Sequence, residues 1–417
     1  MIRPSRAAGI GMVAAAGLML PASAWALPHS GARNLSSRHV CASATAGAAS
    51  CDALIVTQRS GSPLHGKPGA SPTTVAGYHP ADLQSAYKLP SSSTGSGQTV
   101  AIVDAYNDPK AASDLATYRA TFGLPKTSTC SVSGGKVVSP GGPCFLQVGQ
   151  SGSPTSLPRN NASWSQEISL DLDMVSAICQ NCNILLVEAS SASLTNLGSA
   201  VNEAAKLGAT EISNSYGGGE SSSDPSYDST YYNHPGIAIT ASSGDSGYGV
   251  QYPAASQYVT AVGGTTLNQA ANARGWTETA WSGAGSGCSA YDPRPAWQAS
   301  NPIIAAVCSR RAEADVSADA DPNTGVSVYD TYSYRGASGW LVFGGTSVAS
   351  PIIASVYALA GNAAAVTYGS YPYSHSSALF DVTSGSNGSC GGTALCRAGS
   401  GWDGPTGLGT PDGTGGF

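Results

Sequence analysis

Apolar runs and amphipathic patterns alternate along residues 99 to 266. Short apolar runs bounded by turn residues predict strands, and apolar residues that recur every three or four positions predict helices. Strands are predicted at 99–106, 183–188, 210–215, 236–242 and 258–266, and helices at 108–122, 164–178, 193–207 and around 224–233. This alternation predicts an α/β fold, a parallel β-sheet flanked by helices on both faces, with a functional site at the carboxyl ends of the strands.

A further apolar helix of about fifteen residues is predicted to follow Gly344 and Gly345, and its apolar positions indicate burial in the middle of a domain. Ser347 lies at its start, where unpaired amide groups and the helix dipole favour a developing negative charge. Pro351 is expected within about the first turn, where a missing amide hydrogen costs little. The stretch predicts a nucleophile, although Gly-Thr-Ser before an apolar run is also a common start of an ordinary core helix.

The first 26 residues have the pattern of a secretory signal peptide. Arg3 and Arg6 precede an apolar stretch at 7–20, and Ala24 and Ala26 flank Trp25 in a small-x-small cleavage site. No later apolar run is long enough to cross a bilayer, so we expect a secreted, extracellular protein. Residues 27–76 are rich in Ser, Gly, Ala and Pro without a sustained pattern, and we expect a flexible leader there.

The charge composition excludes one class of partner and is compatible with an acidic environment. The 19 Lys and Arg and 25 Asp and Glu residues give a net charge of -6 without a basic run, so no nucleic acid is expected to bind. A surface with few charges changes little on acidification. We expect a monomer that, after signal cleavage, binds no membrane.

Export also affects the interpretation of the ten cysteines, because secreted proteins form disulfides. Short-loop disulfides are expected, with a connectivity that the sequence leaves open. The cysteines that are neighbours in sequence are 41 and 51, 130 and 144, 179 and 182, 288 and 308, and 390 and 396. Cys179 and Cys182 also have the spacing of a redox pair or of half a zinc site, but a matching second half is absent.

A serine nucleophile needs a base, and histidine is the usual one. No histidine occurs between Asp104, at the end of the predicted strand 99–106, and His234. Glu167 and Asp171 lie in that interval. They are four residues apart on a predicted helix, so their carboxyls share one face and can share one proton. A solvated acidic face is the ordinary interpretation, but apolar neighbours favour a buried pair here.

Asp245 follows the predicted strand 236–242 in the sequence Gly-Asp-Ser-Gly. Taken alone, this sequence is a turn. At a strand end near a nucleophile, an aspartate can stabilise an oxyanion only if it is protonated and donates a hydrogen bond. The chain thus offers a nucleophile, a base, an orienting group and an oxyanion donor.

With these motifs in this order, the chain resembles the sedolisins, which are serine-carboxyl peptidases with a subtilisin-like fold. The resemblance covers a peptidase domain at residues 77–417. It implies that Ser347 is the nucleophile, Glu167 the general base, Asp171 its orienting group and Asp245 the oxyanion donor. It also implies a segment whose backbone pairs with extended substrate, formed by Ser215, Tyr216, Gly217 and Gly218.

The same resemblance implies one structural Ca²⁺ site near the C-terminus. Its ligands would be the carboxylates of Asp381 and Asp403 and the backbone carbonyls of Val382, Gly399 and Gly401. Hard cations such as Ca²⁺ prefer oxygen ligands of these kinds.

The resulting hypothesis is a secreted, acid-acting serine-carboxyl endopeptidase that cleaves protein or peptide substrates through a seryl acyl-enzyme. One alternative is a subtilisin-type peptidase that uses Asp104 with His234 or His375. Another is a catalytically inactive binding protein on the same fold. Sedolisins usually carry a folded pro-domain of well over a hundred residues, so residues 27–76 could be a short inhibitory propeptide, a remnant or a linker.

Overall fold

The computed structural model describes residues 1–2, 35–65 and 75–417. The predicted signal peptide therefore lies outside the described residues, apart from its first two. The strands of the described chain, in sequence order, are β1 (Leu35–His39), β2 (Ser50–Cys51), β3 (Leu54–Gln58), β4 (Thr99–Ala105), β5 (Ser128–Thr129), β6 (Ser131–Ser133), β7 (Lys136–Val138), β8 (Cys144–Gly149), β9 (Asn183–Ala189), β10 (Glu211–Asn214), β11 (Tyr216–Gly217), β12 (Ala238–Ser242), β13 (Thr260–Gln269), β14 (Trp276–Ala280), β15 (Gly287–Pro293), β16 (Arg310–Glu313), β17 (Val316–Asp319), β18 (Val326–Tyr334), β19 (Ala337–Gly344), β20 (Leu379–Phe380) and β21 (Thr410–Pro411).

The α-helices of the described chain are α1 (Pro80–Ala86), α2 (Ala111–Thr121), α3 (Ala162–Ile178), α4 (Leu194–Lys206), α5 (Asp224–Tyr227), α6 (Ala296–Ala299), α7 (Pro302–Val307), α8 (Thr346–Ala360) and α9 (Tyr371–Ser374). A π-helical turn, Asp228–Tyr232, follows α5, so the predicted helical stretch around 224–233 is two short pieces. None of the helices in the described ranges is long and apolar enough to cross a membrane.

A large sheet forms the centre of the fold. Its strand order is β14-β13-β12-β10-β4-β9-β8-β5, and β17 pairs with β13. Every pairing in it is parallel except the one between β13 and β14. Helices α3 and α8 pack on each other and on the sheet, while α4 packs on β4 and β9. The predicted α/β class with a flanked parallel sheet is confirmed, and its subtilisin-like form is supported by the comparisons given below.

Strand β8 is a structural element that the sequence analysis missed. Cys144–Gly149 falls outside every strand predicted from the sequence, yet it lies between β5 and β9 in the central sheet. The run is short and its burial comes from its neighbours rather than from a long apolar pattern. All five predicted strands and the three longer predicted helices exist in the structure, with ends shifted by up to three residues.

The expectation of a flexible leader at residues 27–76 is wrong for the described residues 35–65. Strands β1 and β3 belong to a four-stranded sheet with β18 and β19, and β2 pairs with β11. The partner strands lie more than 150 residues away in sequence. Pairing of this kind leaves no local pattern of its own, which explains why composition alone predicted a leader without structure.

All five expected short-loop disulfides are present and join the cysteines that are neighbours in sequence: 41 with 51, 130 with 144, 179 with 182, 288 with 308, and 390 with 396. The bond between Cys179 and Cys182 removes the interpretation of these residues as zinc ligands. Such bonds restrict the unfolded chain and so stabilise the folded one.

Candidate active site

Ser347 is the second residue of α8 and is fully buried. The preceding Gly345 has φ of 99°, which a side chain would strain. A Cβ there would also lie 2.1 Å from the Asp52 carbonyl oxygen and 2.4 Å from Asp245 Oδ2. The Ser347 hydroxyl donates to the Ser215 carbonyl at 3.2 Å. The glycine therefore lets the start of α8 approach two other segments of the site closely.

Pro351 is the sixth residue of α8, slightly deeper than the first turn expected from the sequence. A proline at this position cannot donate to the Ser347 carbonyl, as an ordinary residue would. Ser215 Oγ lies 3.5 Å from that carbonyl and donates to it instead. Ser215 thus contacts both the carbonyl and the hydroxyl of Ser347.

Helix α3 carries the predicted carboxyl pair. Its N-cap, Asn161, accepts hydrogen bonds from the amides of Ser163 at 3.0 Å and Trp164 at 3.3 Å, which fixes where the helix begins. Glu167 and Asp171 are one turn apart on it, and both are fully buried. Asp104, on β4, is equally buried, and no hydrogen bond within 3.5 Å satisfies the carboxyl oxygens of any of the three. The buried carboxyl cluster therefore has three members, rather than the two that the sequence predicted.

Burial is the main reason why these carboxyls hold protons, and it raises the pKa of each well above its ordinary value. The charges of Asp171 and Asp104 raise the pKa of Glu167 further, whereas the nearby Ser347 hydroxyl lowers it. Contacts with Ser215 and Glu167 lower the pKa of Asp171. The members of a cluster of this kind ionise together rather than independently.

Asp245 lies just after β12, where the sequence analysis expected it. Its Oδ1 accepts hydrogen bonds from the Thr346 amide at 2.7 Å and from Thr346 Oγ1 at 2.9 Å, whereas its enclosed Oδ2 has no partner. Burial raises the pKa of Asp245 well above its ordinary value, the charge of Asp52 raises it more, and the Thr346 contacts lower it. Because Oδ1 is occupied as an acceptor, the proton belongs on Oδ2, which faces Gly345.

The histidines proposed for the subtilisin-type alternative lie elsewhere. His234 Nε2 is 2.8 Å from Asn202 Oδ1, and His375 stacks on Tyr371 with 4.0 Å between ring centroids. Within the described chain, no histidine is hydrogen-bonded to Ser347. Asp104, which that alternative used as the partner of a histidine, instead faces Asp171 and Glu188. Its place at the end of a buried strand was the available signal for its membership of the carboxyl cluster.

The predicted substrate-binding segment is paired with residues of this same chain. Tyr216 is opposite Cys51 and Gly217 is opposite Ser50 in the antiparallel pair of β11 and β2. Ser215, which precedes β11, accepts a hydrogen bond from the Asp52 amide at 3.2 Å. A cavity of about 330 Å³ adjoins this pair and is lined by Gly217, Gly218, Asp245 and Gln251 among others.

The predicted calcium ligands come together in two adjacent segments. The Gly401 amide donates to Asp381 Oδ2 at 2.9 Å, and the Gly399 amide donates to Asp403 Oδ2 at 3.1 Å. Asp403 is buried, which raises its pKa to about 7, and the charge of Asp381 also raises it. Asp403 Oδ1 also accepts hydrogen bonds from the Thr406 amide and hydroxyl, and Val382 is buried.

Known proteins resemble this chain in both sequence and structure. A family model described as the subtilase family matches residues 158–371. Sedolisin of Pseudomonas sp. (strain 101) is 28% identical over 381 residues, covering 81% of this chain and 60% of the relative. Kumamolisin of Bacillus sp. (strain MN-32) is 30% identical over 382 residues, covering 82% and 63%. The chain thus spans less than two thirds of the length of either relative.

A solved structure of Pseudomonas sedolisin, a serine-carboxyl proteinase complexed with two molecules of pseudo-iodotyrostatin, has a TM-score of 0.66 to this chain at 28% identity. The similarity covers 81% of this chain and 96% of that one.

Proposed function

The chain belongs to the subtilase family and, within it, to the sedolisin group of serine-carboxyl peptidases, and on that premise we propose that it is a secreted endopeptidase acting in acid. The observation that carries the proposal is the arrangement of acids around Ser347. A buried carboxyl cluster lies near its hydroxyl, and an aspartate with an unpartnered Oδ2 lies at the start of the same helix. The pattern of residues 1–26 supports secretion.

The proposed reaction is acyl transfer to Ser347. Its Oγ attacks the carbonyl carbon of the scissile bond while its proton moves to Glu167. Asp171 orients Glu167, and Asp104 belongs to the same carboxyl cluster. The tetrahedral oxyanion accepts hydrogen bonds from the Ser347 amide and from protonated Asp245. When the C–N bond breaks, Glu167 returns the proton to the leaving amine. A water molecule then hydrolyses the ester by the same steps.

The pH dependence of cleavage tests this mechanism. Asp245 donates only while protonated, and its raised pKa means that the proton is kept in acid and lost as the pH rises through that pKa. Below the pKa at which the carboxyl cluster first loses a proton, every member is protonated, so Glu167 can no longer accept a proton. We expect kcat/KM on a quenched peptide, measured from pH 2 to pH 8, to peak in acid and fade toward neutrality. A maximum above neutral pH contradicts the mechanism.

We also propose that residues 27–76 contain a short inhibitory propeptide for the peptidase domain at 77–417. The support comes from β2 and β3, which pair with β11 and with β19, the strand that leads into α8. A segment that only connects two parts of the chain does not require strand pairing with the active-site region. Residues 50–52 lie along the segment assigned to substrate, so extended substrate cannot pair there while they remain.

The C-terminal carboxyls suit the structural Ca²⁺ implied by the family. Asp381 and Asp403, with the carbonyls of Val382, Gly399 and Gly401, supply the oxygen donors that Ca²⁺ prefers. We expect the melting temperature to be higher in excess Ca²⁺ than in EGTA, because an ion at 100 times its Kd stabilises by about 2.7 kcal/mol. Asp381→Asn should remove this difference. Asp412→Asn, which breaks only the partly exposed ion pair with Lys88, should keep it. Equal melting of the parent in both buffers contradicts the site.

A further inference from the structure

Residues 50–55 cross the active site in the manner of an extended peptide. On one side of Ser347, β2 pairs antiparallel with β11, and the Asp52 amide donates to the Ser215 carbonyl. On the other side, Leu54 pairs with Gly344 and Ile55 with Phe343, also antiparallel. The chain passes from one pairing to the other at Asp52 and Ala53, and both are buried.

The peptide bond between Asp52 and Ala53 is the one placed at the nucleophile. The Ser347 amide donates to the Asp52 carbonyl oxygen at 3.3 Å. That oxygen and Asp245 Oδ2 both lie against Gly345, within 2.1 Å and 2.4 Å of where its Cβ would be. The Ser347 amide and Asp245 Oδ2 are the two groups to which the proposed mechanism assigns stabilisation of the oxyanion. Asp52 therefore occupies the position of the residue on the acyl side of a cleaved bond.

The side chain of Asp52 shows what the pocket at this position can hold. Its Oδ2 accepts hydrogen bonds from Ser242 Oγ at 2.6 Å and from Gln251 Nε2 at 2.5 Å. Gln251 Nε2 also donates to the Ser242 carbonyl at 3.2 Å, which fixes the orientation of the amide. A Cβ on Gly217 would lie 2.1 Å from the Gln251 side chain, so this glycine leaves the space that Gln251 fills.

The pocket suits an uncharged side chain with an oxygen acceptor. No ion pair within 4.0 Å joins Asp52 to a lysine, arginine or histidine in the described ranges. Burial raises the pKa of Asp52 to about 7, although the contacts with Ser242 and Gln251 lower it. In acid the carboxyl is neutral, with its proton on Oδ1 because Oδ2 is already an acceptor. An asparagine can present its amide oxygen to the same two donors.

We propose that Ser242 and Gln251 form a specificity pocket that selects Asp or Asn on the acyl side of the cleaved bond. This inference rests on the proposed peptidase function. An apolar side chain of the same size would bury both donors without an acceptor, and sites built around hydrogen bonds discriminate strongly against such analogues. A lysine at this position would place its ammonium group, which is a donor, against the donors of Ser242 and Gln251.

The test uses the secreted protein after incubation in acid, once mass spectrometry shows that residues 50–52 have been cleaved from it. Its substrates are four quenched peptides that differ only at the acyl-side residue, which is Asp, Asn, Leu or Lys. Denatured protein is cleaved in parallel in acid as a measure of peptidase function, and its products are sequenced by mass spectrometry. We expect the Asp and Asn peptides to exceed the Leu and Lys peptides in kcat/KM by at least about tenfold, since each unsatisfied buried donor is costly. Cleavage of denatured protein should likewise fall mainly after Asp and Asn.

Two variants separate the pocket from general damage. Gln251→Met keeps the length of the side chain but removes the amide donor, and Ser242→Ala removes the hydroxyl. Each should lower the ratio of Asp to Leu cleavage several-fold or more, a ratio that a merely structural defect would leave unchanged. If one variant does not fold, the other still measures the ratio.

The outcomes distinguish this inference from the proposed function. Suppose that denatured protein is cleaved in acid. If kcat/KM is then equal for the Leu and Asp peptides, or if both variants leave the ratio of Asp to Leu cleavage unchanged, the specificity pocket is overturned and the peptidase function is not. No cleavage of denatured protein at any pH overturns the peptidase and the pocket together.

Discussion

Replacing Ser347 with alanine is expected to abolish peptide-bond cleavage at every pH. Without Oγ no acyl-enzyme can form, and the carboxyl cluster then has no hydroxyl to activate. Loss of the nucleophile in serine peptidases of this general type costs on the order of 10⁶-fold in kcat. The measurement is the initial rate on a quenched peptide at the acid optimum, with thermal melting to show that the variant is folded.

Ser350→Ala is the matched control for Ser347→Ala. Ser350 lies on the same helix and is equally buried, but its hydroxyl is 2.9 Å from both Ser213 Oγ and Thr240 Oγ1. It should cost about 1 kcal/mol of stability and leave most of the activity. Equal cleavage by Ser347→Ala and its parent would overturn the assignment of the nucleophile. A folded parent without activity would instead favour the inactive binding protein.

The sequence predicted the parts of the site that rest on local spacing. Glu167 and Asp171 are visible from a separation of four residues on a helix, and Asp245 from its place after a strand. Gly345 and Ser347 are visible because a helix start has a recognisable composition. In each case the fold needed only to bring strand and helix ends to one edge of the sheet, which parallel sheets do.

The parts that were not predicted depend on contacts between distant residues. Asp104 joins the carboxyl cluster only because β4 lies beside the helix that carries Glu167. Asp52 and Gln251 are 199 residues apart, and nothing local marks either residue as part of a pocket. Strands β2 and β3 also pair with strands far away in sequence, β11 and β19. Long-range pairing is set by the whole fold, so composition and periodicity carry little information about it.

Asp245→Asn should separate the contribution of the oxyanion donor to the pH dependence of kcat/KM from the contribution of the carboxyl cluster. In the parent, Asp245 is a donor below its raised pKa and loses that ability as the pH rises through it. An asparagine oxygen can accept the two hydrogen bonds from Thr346 that Oδ1 now accepts. Its amide nitrogen then takes the place of Oδ2 and donates at any pH. The variant should keep part of the parent's activity in acid and lose less of it toward neutral pH.

Asp245→Ala is the matched control, because it removes the donor at every pH. Loss of one oxyanion donor costs about 10²–10³-fold in kcat, so the alanine variant should be far slower than the asparagine variant. The fall of activity on the low-pH side of the optimum should be the same in the parent and in Asp245→Asn, since that limb belongs to the cluster of Asp104, Glu167 and Asp171. Profiles of kcat/KM against pH for the three proteins measure both limbs. If Asp245→Asn loses activity toward neutral pH as steeply as the parent, the donor is a different group and the proton on Oδ2 has no part in catalysis.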